Sequence, residues 1–394
     1  MTGVCVFVFV VYLLTEQYFL GRKTKKIPLR ICVTGTRGKS SVTRFISACL
    51  GESGMPVLAK TTGSKPCLIF PDGNEKEIIR RGRTSILEEK MVLKIATTSK
   101  VQAVVLEMMS IHPESLKTEV LRMLKPHILV VTNIRLDHLD AMGNTKEDIA
   151  RCFASAIPRK STVFIPEEEF YPVFRQKAEK SRSKIILVPQ NGLEYVPKPS
   201  KKVPIHGFEQ NIRLAVAVAD FLGIDRDKTH RAVVGAHPDF GGLKVWKLGK
   251  ESFMREWYFV SAFSANDPES TKKVLEKLEG RGVFKEKKRI GLLNLRQDRG
   301  DRTIQWFHAL REGDDFLFDR LILMGEHALV LRNRLKNRLK AAITVLRTKK
   351  PEELTARLFD LEEKEAVVIG IGNMGGMGQR LVNYWERIGI SHDL

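Results

Sequence analysis

The stretch that decides the fold reads Ile31-Cys-Val-Thr-Gly-Thr-Arg-Gly-Lys-Ser-Ser-Val-Thr-Arg44. A short β-branched run enters a turn that contains Gly35 and Gly38, and a helical pattern starts at Lys39. The two glycines can adopt backbone angles that let successive N–H groups point at an anion, and the helix adds the positive end of its dipole. Lys39 can hold β- and γ-phosphates, and the Ser40 hydroxyl can ligate Mg²⁺. The stretch therefore predicts a loop that binds a nucleoside triphosphate.

This loop departs from the full phosphate-loop pattern at one position. The pattern G-x-x-x-x-G-K-[ST] requires glycine where this chain has Val33. The alternative interpretation is an ordinary strand–turn–helix with a surface lysine. The strand pattern before the turn and the helix pattern after it favour the nucleotide site.

The composition describes a soluble globular body with a strong positive charge. The 394 residues are 43% hydrophobic and 28% charged, and they carry a formal net charge of +20. Nucleic acid, an anionic membrane surface or an acidic substrate can each explain this charge. None of the five cysteines lies in a C-x-x-C pair, so the sequence indicates neither a zinc site nor a disulfide framework. A reducing cytosolic environment fits best.

The first twenty residues predict a transmembrane anchor. As a helix, residues 2–20 would be about 28 Å long, close to the hydrocarbon thickness of a bilayer. A basic linker follows at residues 21–29, with Arg22, Lys23, Lys25 and Lys26. The positive-inside rule then places the remaining chain in the cytoplasm, as a single-pass protein of the cell membrane. The alternative is a buried β-strand, because the run is short and rich in valine.

Strand and helix patterns alternate from residue 27 onward, as in a doubly wound, mainly parallel α/β sheet. Turn residues interrupt this alternation near residues 235–243, and we place a domain boundary there. The sequence thus predicts an ATP-binding central domain at residues 30–242 and a smaller C-terminal α/β domain at residues 243–394.

Polar side chains follow two of the predicted strands where those strands end. Glu107 follows four apolar residues, and Asn133 follows the next buried strand. Asp137 and His138 lie in the loop after Asn133. Ligands of doubly wound sheets bind beyond the carboxyl ends of the strands, and carboxylates beside an imidazole suit a hard cation. The alternatives are a carboxylate in solvent and a loop held by salt bridges.

With these residues in view, the chain resembles the Mur ligase family, and within it the capsule-type branch that makes poly-γ-glutamate. The resemblance depends on an ordered series of motifs: Thr34–Ser41, Lys60–Gly63, Glu107, Asn133–Asp140, Asn211, Phe263–Asp267 and Asn294–Arg302. It implies a phosphate-loop Mur-ligase-like central domain. A hydrophobic segment and a basic linker precede the phosphate loop, where muramyl-peptide ligases carry a globular domain. That difference favours the poly-γ-glutamate branch.

The resemblance also implies roles for single residues. Those that would bind ATP are Thr36, Arg37, Gly38, Lys39, Ser40, Ser41 and Asn211, the last at the adenine. Ser40 and Glu107 would hold one Mg²⁺ and His138 a second, and Lys39, Glu107 and His138 would be catalytic. Candidate substrate contacts are Thr61, Thr62, Asn133, Asp137, Arg296, Arg299 and Arg302. For the three arginines the alternative is salt bridging within a solvated loop, since Asp298 and Asp301 lie among them.

Two positions depart from the family's pattern. Many relatives carry a carbamylated lysine about twelve residues after the D-H-x-D loop, where this chain has Cys152. The D-D-Y-A-H-N-P-type segment of relatives appears here as Ala262-Phe-Ser-Ala-Asn-Asp-Pro268, without its first acidic residue. Neither the metal-bridging carbamate nor the nucleotide contacts of the second domain can therefore be transferred to this chain.

The resemblance implies an ATP- and Mg²⁺-dependent amide ligase. It would activate a γ-carboxylate as an acyl phosphate, which the amine of glutamate then attacks, and so extend poly-γ-glutamate on the cytosolic face. Its partners would be glutamate, the polymer chain, the membrane and other membrane subunits of the synthase, and homo-oligomers are compatible with it. The basic run at residues 332–340 could lie on anionic lipid, hold an acidic polymer or form a solvated face.

Three other functions remain open at this stage. One is a folate- or muramyl-peptide-type ligase with a small-molecule acceptor. The second is a non-catalytic basic phosphate-loop protein that binds nucleic acid or membrane. The third is an ATPase that regulates export, which would hydrolyse ATP but form no amide. Nucleic acid is not expected as a partner, because few aromatic residues accompany the basic runs and stacking on bases needs them.

Overall fold

The computed structural model describes residues 2–63, 65–80, 82, 84–191, 209–237, 242–250, 253–312, 316, 318–336, 338–339, 341–362 and 365–392. The described residues form two compact units, the first up to His237 and the second from Gly242 onward. The boundary that the sequence predicts near residue 242 borders residues 238–241, which lie outside the described ranges. Residues 192–208 lie outside them as well.

The first unit is built on a mostly parallel sheet. Its described strands are β1 (Leu29–Thr34), β2 (Val57–Thr61), β3 (Cys67–Ile69), β4 (Glu75–Glu77), β5 (Ala103–Glu107), β6 (Ile128–Val131), β7 (Thr162–Pro166) and β8 (Lys184–Val188). Their order is β4-β3-β2-β5-β1-β6-β7-β8; near one edge β3 is antiparallel to both of its neighbours, β2 and β4, and the other described pairs are parallel. Strand β5 is apolar until Glu107 because helices cover both faces of a parallel sheet.

Helices cover both faces of this sheet. The described α-helices of the first unit are α1 (Thr2–Lys25), α2 (Lys39–Glu52), α3 (Glu88–Thr98), α4 (Pro113–Lys117), α5 (Leu139–Met142), α6 (Lys146–Ser155), α7 (Pro172–Ser181), α8 (Glu209–Phe221) and α9 (Arg226–Gly235). A π-helical segment, Thr118–Leu124, continues α4. Cys32, Leu58 and Leu106 pack with the buried side chains of α3 and the π-helical segment. On the other face α2 packs against α8 and α9.

The predicted N-terminal helix is present and is the one described helix long and apolar enough to cross a membrane, over Gly3–Lys25. It differs from the prediction at its C-terminal end. Helix α1 continues through Lys25 and so includes part of the stretch predicted as a linker. Contacts with the first unit explain this extension, because the Thr24 hydroxyl donates a hydrogen bond to the Met123 carbonyl at 3.0 Å.

The second unit has its own sheet, also mostly parallel. Its described strands are β9 (Lys244–Lys250), β10 (Phe253–Ser261), β11 (Lys288–Leu295), β12 (Arg320–Gly325), β13 (Ala342–Val345), β14 (Ala366–Gly372) and β15 (Ile390–Ser391), in the order β13-β12-β11-β14-β10-β9-β15. Its helices are α10 (Pro268–Gly280), α11 (Gly300–Glu312), α12 (Ala328–Leu335), α13 (Pro351–Asp360) and α14 (Met377–Ile388). Strands β9 and β15 are antiparallel to their neighbours. Both units thus have the predicted α/β architecture with doubly wound, mainly parallel sheets.

Candidate functional site

The predicted phosphate loop connects β1 to α2, as the glycine pattern indicates. Gly35 and Gly38 both have positive φ, at 121° and 78°. A Cβ atom at Gly35 would lie 2.2 Å from the Thr132 hydroxyl oxygen, and one at Gly38 would lie 2.4 Å from the Asn211 amide oxygen. Glycine is therefore required at both positions by conformation and by space. Asn211 of α8 is buried against the loop.

Asn133 fixes the shape of this loop from the end of the neighbouring strand. Its amide oxygen accepts a hydrogen bond from the Arg37 N–H at 2.9 Å, and its amide nitrogen donates to the Arg37 carbonyl at 3.0 Å. Its carbonyl accepts from the Thr36 N–H at 3.0 Å. The sequence predicts Asn133 as a substrate contact, whereas the observed hydrogen bonds are with the loop backbone. Its predicted role in substrate binding stays a prediction.

Asp137 and His138 lie on the loop after Asn133, beside Arg37. The Arg37 guanidinium donates to the Asp137 carboxylate at 2.8 Å, and His138 Nε2 lies 3.6 Å from the same carboxylate. His138 has a positive φ of 52° and directly precedes α5. A left-handed conformation is unusual for a residue with a side chain, and such residues are concentrated at functional sites. The structure therefore brings these two predicted residues to the loop.

Ser40 and Glu107 form the contact that most clearly fits a magnesium site. Strands β1 and β5 pair so that Val33 lies opposite Glu107, which brings the glutamate to the start of α2. The Ser40 hydroxyl donates to Glu107 Oε2 at 2.8 Å, and the Thr62 N–H donates to the same oxygen at 2.7 Å. Both side chains are buried. A hydroxyl and a carboxylate are hard oxygen ligands, the type that Mg²⁺ binds.

This donor set also fits the number of protein ligands that magnesium needs. Within the described ranges no three His, Cys, Asp or Glu residues lie close enough to hold a metal ion. Mg²⁺ usually takes one or two carboxylates, keeps several waters and binds substrate phosphates. A single carboxylate and a hydroxyl next to a phosphate loop are sufficient for that mode of binding.

Lys39 begins α2 and its side chain lies over the loop. The ammonium donates to the Gly35 carbonyl at 2.8 Å and to the Thr36 carbonyl at 3.3 Å. Burial lowers the pKa of Lys39 from its ordinary value, while the nearby Glu107 carboxylate opposes this shift. The positive charge is thus held at the loop by two of its carbonyl oxygens.

The remaining residues predicted for this domain lie around the same strand ends. Ser41 is in the first turn of α2. Thr61 ends β2, where its hydroxyl lies 3.1 Å from the thiol of Cys67. Cys152 is buried on α6, and burial raises the pKa of its thiol to about 11. A protonated thiol cannot replace a carbamylated lysine as a metal ligand.

A buried charged cluster, Lys60 with Glu89 and Glu119, was not recognised from the sequence. Lys60 forms an ion pair with Glu89 and lies 3.9 Å from Glu88. Glu119 accepts hydrogen bonds from the N–H groups of Met109 and Ser110, just after β5 ends at Glu107. Lysine and glutamate are rarely buried completely unless paired. The three residues come from β2, α3 and the π-helical segment, so no local sequence pattern brings them together.

The cluster predicts a pH dependence of stability. Burial raises the pKa of Glu89 from 4.5 to about 7, the Lys60 ammonium lowers it in part, and Glu119 raises it further. A raised carboxyl pKa means that the folded state holds a proton that the unfolded state loses first, so stability falls as pH rises through this window. We expect the free energy of unfolding of the wild type, relative to Glu89→Gln, to fall by roughly 3 kcal/mol between pH 4.5 and 8.

Chemical denaturation of both variants across this range measures the difference. Glu114→Gln is the control because its carboxylate is exposed. A constant difference between wild type and Glu89→Gln from pH 4.5 to 8 would show that Glu89 does not bind the proton.

The three predicted arginines lie in the second unit, after β11. Arg296 binds Asp298 through two hydrogen bonds of 2.9 and 2.6 Å, and Arg299 binds Asp301 similarly. These pairs are the internal salt bridges considered above as the alternative. Arg302 instead is buried and donates to the Asn373 amide oxygen at 2.6 Å. Their role in substrate binding stays a prediction.

Comparison with known proteins agrees with this fold. Residues 33–218 match the model of the Mur ligase middle domain, and residues 248–388 match that of the poly-gamma-glutamate synthase CapB C-terminal domain. The chain is 30% identical over 362 residues to the PGA synthase CapB of Bacillus subtilis, covering 90% of each chain. It is 31% identical over 308 residues to the capsule biosynthesis protein CapB of Bacillus anthracis, covering 77% of this chain and 65% of that protein.

Solved structures show the same fold at low sequence identity. Escherichia coli FolC in complex with ADP superposes with a TM-score of 0.71 at 14% identity, covering 94% of this chain and 92% of FolC. MurF from Acinetobacter baumannii gives a TM-score of 0.63 at 15% identity, covering 93% of this chain and 79% of MurF.

Fold, phosphate loop and comparisons together define a member of the Mur ligase family, a class of ATP-dependent amide-bond-forming ligases. Within that class, the chain belongs to the poly-γ-glutamate synthase CapB family. The resemblance inferred from the ordered motifs is thereby confirmed, and so is the ligase function in poly-γ-glutamate synthesis. The comparisons do not address the roles of individual site residues, which stay predictions.

Proposed function

We propose that this chain binds ATP and Mg²⁺ at the loop between β1 and α2 and uses them to activate the γ-carboxylate of a poly-γ-glutamate chain. The observation that carries the proposal is the Ser40–Glu107 hydrogen bond beside a loop with two positive-φ glycines. This pair of hard oxygen atoms, beside a glycine turn at a helix N-terminus, supports binding of Mg²⁺ together with nucleotide phosphates. Yersinia pestis folylpolyglutamate synthase, of the same fold, was solved with AMPPNP and a manganese ion.

The chemistry needs positioning and charge neutralisation from the protein. A carboxylate oxygen attacks the γ-phosphorus, the bond from phosphorus to the ADP oxygen breaks, and an acyl phosphate forms. The uncharged amine of glutamate then attacks the acyl carbon, phosphate leaves, and the amide forms with loss of a proton. Bound Mg²⁺ would supply charge neutralisation at the phosphates.

Side chains of the site would divide this work. Lys39 would neutralise charge on the transferring phosphoryl group, and Ser40 with Glu107 would hold the metal. Asn133 and Arg37 keep the loop in shape through their mutual hydrogen bonds. His138 is proposed for a second metal and Asn211 for the adenine, on the family's pattern. Arg296, Arg299 and Arg302 are proposed to bind the acyl phosphate or the incoming glutamate, because arginine forks match both groups.

We also propose that α1 anchors the protein in the cell membrane, with both units in the cytoplasm and other membrane subunits of the synthase as partners. Support comes from the apolar span Gly3–Lys25 and from the basic residues at its C-terminal end. The net charge of +20 would help to retain a polyanionic product, an effect that weakens with salt.

Trapping of the activated carboxylate tests the proposal. Membranes that contain the full chain and its partner subunits are given ATP, Mg²⁺, hydroxylamine and either glutamate or short poly-γ-glutamate. We expect ADP and a hydroxamate to form only when one of these carboxylates is present, because hydroxylamine intercepts an acyl phosphate. ATP turnover that is independent of both would contradict the proposal. Hydroxamate formed only with a folate or muramyl-peptide substrate would point to another acceptor.

A further inference from the structure

Helix α1 changes its surroundings halfway along its length. Residues 3–15 are exposed, whereas Glu16, Leu20 and Thr24 lie against the first unit. Lys90 of α3 forms an ion pair with Glu16, and the Thr24 hydroxyl bonds to the Met123 carbonyl. The apolar span thus contains both a projecting part and a part that contacts the globular body.

The length of this span places the body close to the bilayer. A helix needs about 20 residues to cross the hydrocarbon core. The span runs over 23 residues, Gly3–Lys25, so every 20-residue window within it contains both Glu16 and Leu20. Leu20 lies within five residues of the C-terminal end of every such window, so if this helix crosses the membrane, the surface beside Leu20 must lie against the bilayer.

Exposed apolar side chains occur at this same surface. Ile79, Leu87 and Met91 are 85%, 57% and 42% exposed. Leu87 directly precedes α3, and Met91 lies one turn further on, next to Lys90. Arg80 binds Glu88 of α3 through hydrogen bonds of 2.7 and 3.0 Å, which holds Ile79 near the same helix end. Three large apolar side chains therefore lie in water around the helix that contacts α1.

Basic and aromatic residues accompany these apolar side chains. Lys94 is exposed one turn after Lys90 on α3, and Arg22, Lys25 and Lys26 are exposed at the end of α1 and just after it. The Arg22 guanidinium lies 5.8 Å from the centre of the exposed Tyr18 ring. Apolar side chains flanked by lysine and arginine are typical of surfaces that insert into an anionic lipid interface, and tyrosine is enriched at that depth.

We propose that the α3 surface, formed by Ile79, Leu87, Met91 and Lys94, lies in the headgroup region of an anionic bilayer. The first unit then contacts the membrane directly through the α3 surface, in addition to its anchoring through α1. This inference rests on the proposed anchoring by α1 and adds the orientation of the first unit. The α3 surface faces lipid, while α9, on the opposite side of the sheet, faces the cytosol.

Site-directed fluorescence in vesicles tests this orientation with the full chain. All five cysteines lie in the described ranges, and only Cys5 is exposed. A fluorophore on native Cys5 therefore reports the anchor. In a Cys5→Ser background, Leu87→Cys and Met91→Cys report the α3 surface, and His230→Cys on α9 is the control, because His230 is exposed on the other face. The vesicles contain phosphatidylcholine and phosphatidylglycerol, with nitroxide on the headgroup or deep in the acyl chain.

We expect the Cys5 label to be quenched by the deep nitroxide. The labels at Leu87→Cys and Met91→Cys should be quenched by the headgroup nitroxide severalfold more than the label at His230→Cys. Suppose that the Cys5 label is quenched but the labels at positions 87 and 91 are quenched no more than the label at His230→Cys. The first unit would then be attached to the membrane through α1 alone, and the proposed contact of the α3 surface with lipid would be wrong. Absence of quenching at Cys5 would contradict the membrane anchoring by α1, and the proposed contact of the α3 surface with lipid would fail with it. If positions 87 and 91 are protected from aqueous iodide in detergent but are not quenched by nitroxide lipids, a second copy of the chain covers the α3 surface. That result would also contradict the proposed contact with lipid.

Discussion

Lys39→Ala is expected to lower hydroxamate formation and carboxylate-dependent ATP turnover by about 10²- to 10³-fold. The ammonium lies 2.8 Å from the Gly35 carbonyl, directly over the loop that would hold the phosphates. Negative charge on the transferring phosphoryl group needs a preorganised positive group, and water cannot provide one at a partly buried site. Lys39→Arg keeps the positive charge but places it on a larger guanidinium group, so this variant should retain more activity than Lys39→Ala. ADP release and hydroxamate colour measure both variants.

Controls separate a catalytic loss from a folding defect. Lys180→Ala removes an exposed lysine at the end of α7 and should behave as the wild type. The melting temperature of Lys39→Ala should stay close to that of the wild type, because the lost hydrogen bonds are two contacts with loop carbonyls. Hydroxamate formation by Lys39→Ala at a rate within a few fold of the wild type would remove the phosphate-loop assignment.

The features predicted successfully from the sequence are those encoded within a few residues. The β-branched run before Gly35 forms β1, and the helix starts at Lys39, as the pattern indicates. Both glycines have the positive φ that the turn chemistry demands. Local backbone preferences and hydrophobic periodicity determine such elements, so no knowledge of distant contacts is needed.

For features that depend on strand pairing, the resemblance assigns roles to the residues, but the sequence alone does not give their distances. The resemblance singles out Ser40 and Glu107, yet only the parallel pairing of β1 with β5 brings their side chains to 2.8 Å. The hydrogen bonds between the Asn133 side chain and the Arg37 backbone depend in the same way on β6 lying beside β1. The chain positions of these residues are far apart, and the topology of the sheet sets their distance in space.

Lys60 shows most clearly why the rest could not be predicted. A lysine that is followed by two threonines and a glycine carries no local sign of a buried charge, and the resemblance assigns candidate substrate contacts to Thr61 and Thr62 just after it. In the structure Lys60 is fully buried in β2, because Glu89 and Glu119 arrive from two separate helices. Burial of a charge requires its partner, and nothing near residue 60 in the sequence identifies that partner.

Glu107→Gln is the second substitution with a large expected effect, and it changes charge with little change in shape. We expect turnover at saturating ATP to fall by about 10²-fold or more, and the Mg²⁺ concentration for half-maximal activity to rise. The amide oxygen can still accept the hydrogen bonds of the Ser40 hydroxyl and the Thr62 N–H, now made at 2.8 and 2.7 Å. The variant thus removes the anionic ligand that a hard cation prefers. Titration of hydroxamate formation with Mg²⁺ measures both effects.

Two comparisons decide whether Glu107 acts on the metal or only supports the fold. Glu114→Gln, at a carboxylate that is 87% exposed, should leave the Mg²⁺ titration unchanged. Glu107→Ala should lose the hydrogen bonds as well, so its free energy of unfolding should fall below that of Glu107→Gln. Both variants should need a similarly raised Mg²⁺ concentration for half-maximal activity. A purely structural role makes the opposite prediction: Glu107→Gln, which keeps the hydrogen bonds, would then retain the Mg²⁺ dependence of the wild type. That result would move the metal site away from Glu107 and leave Ser40 without its proposed partner ligand.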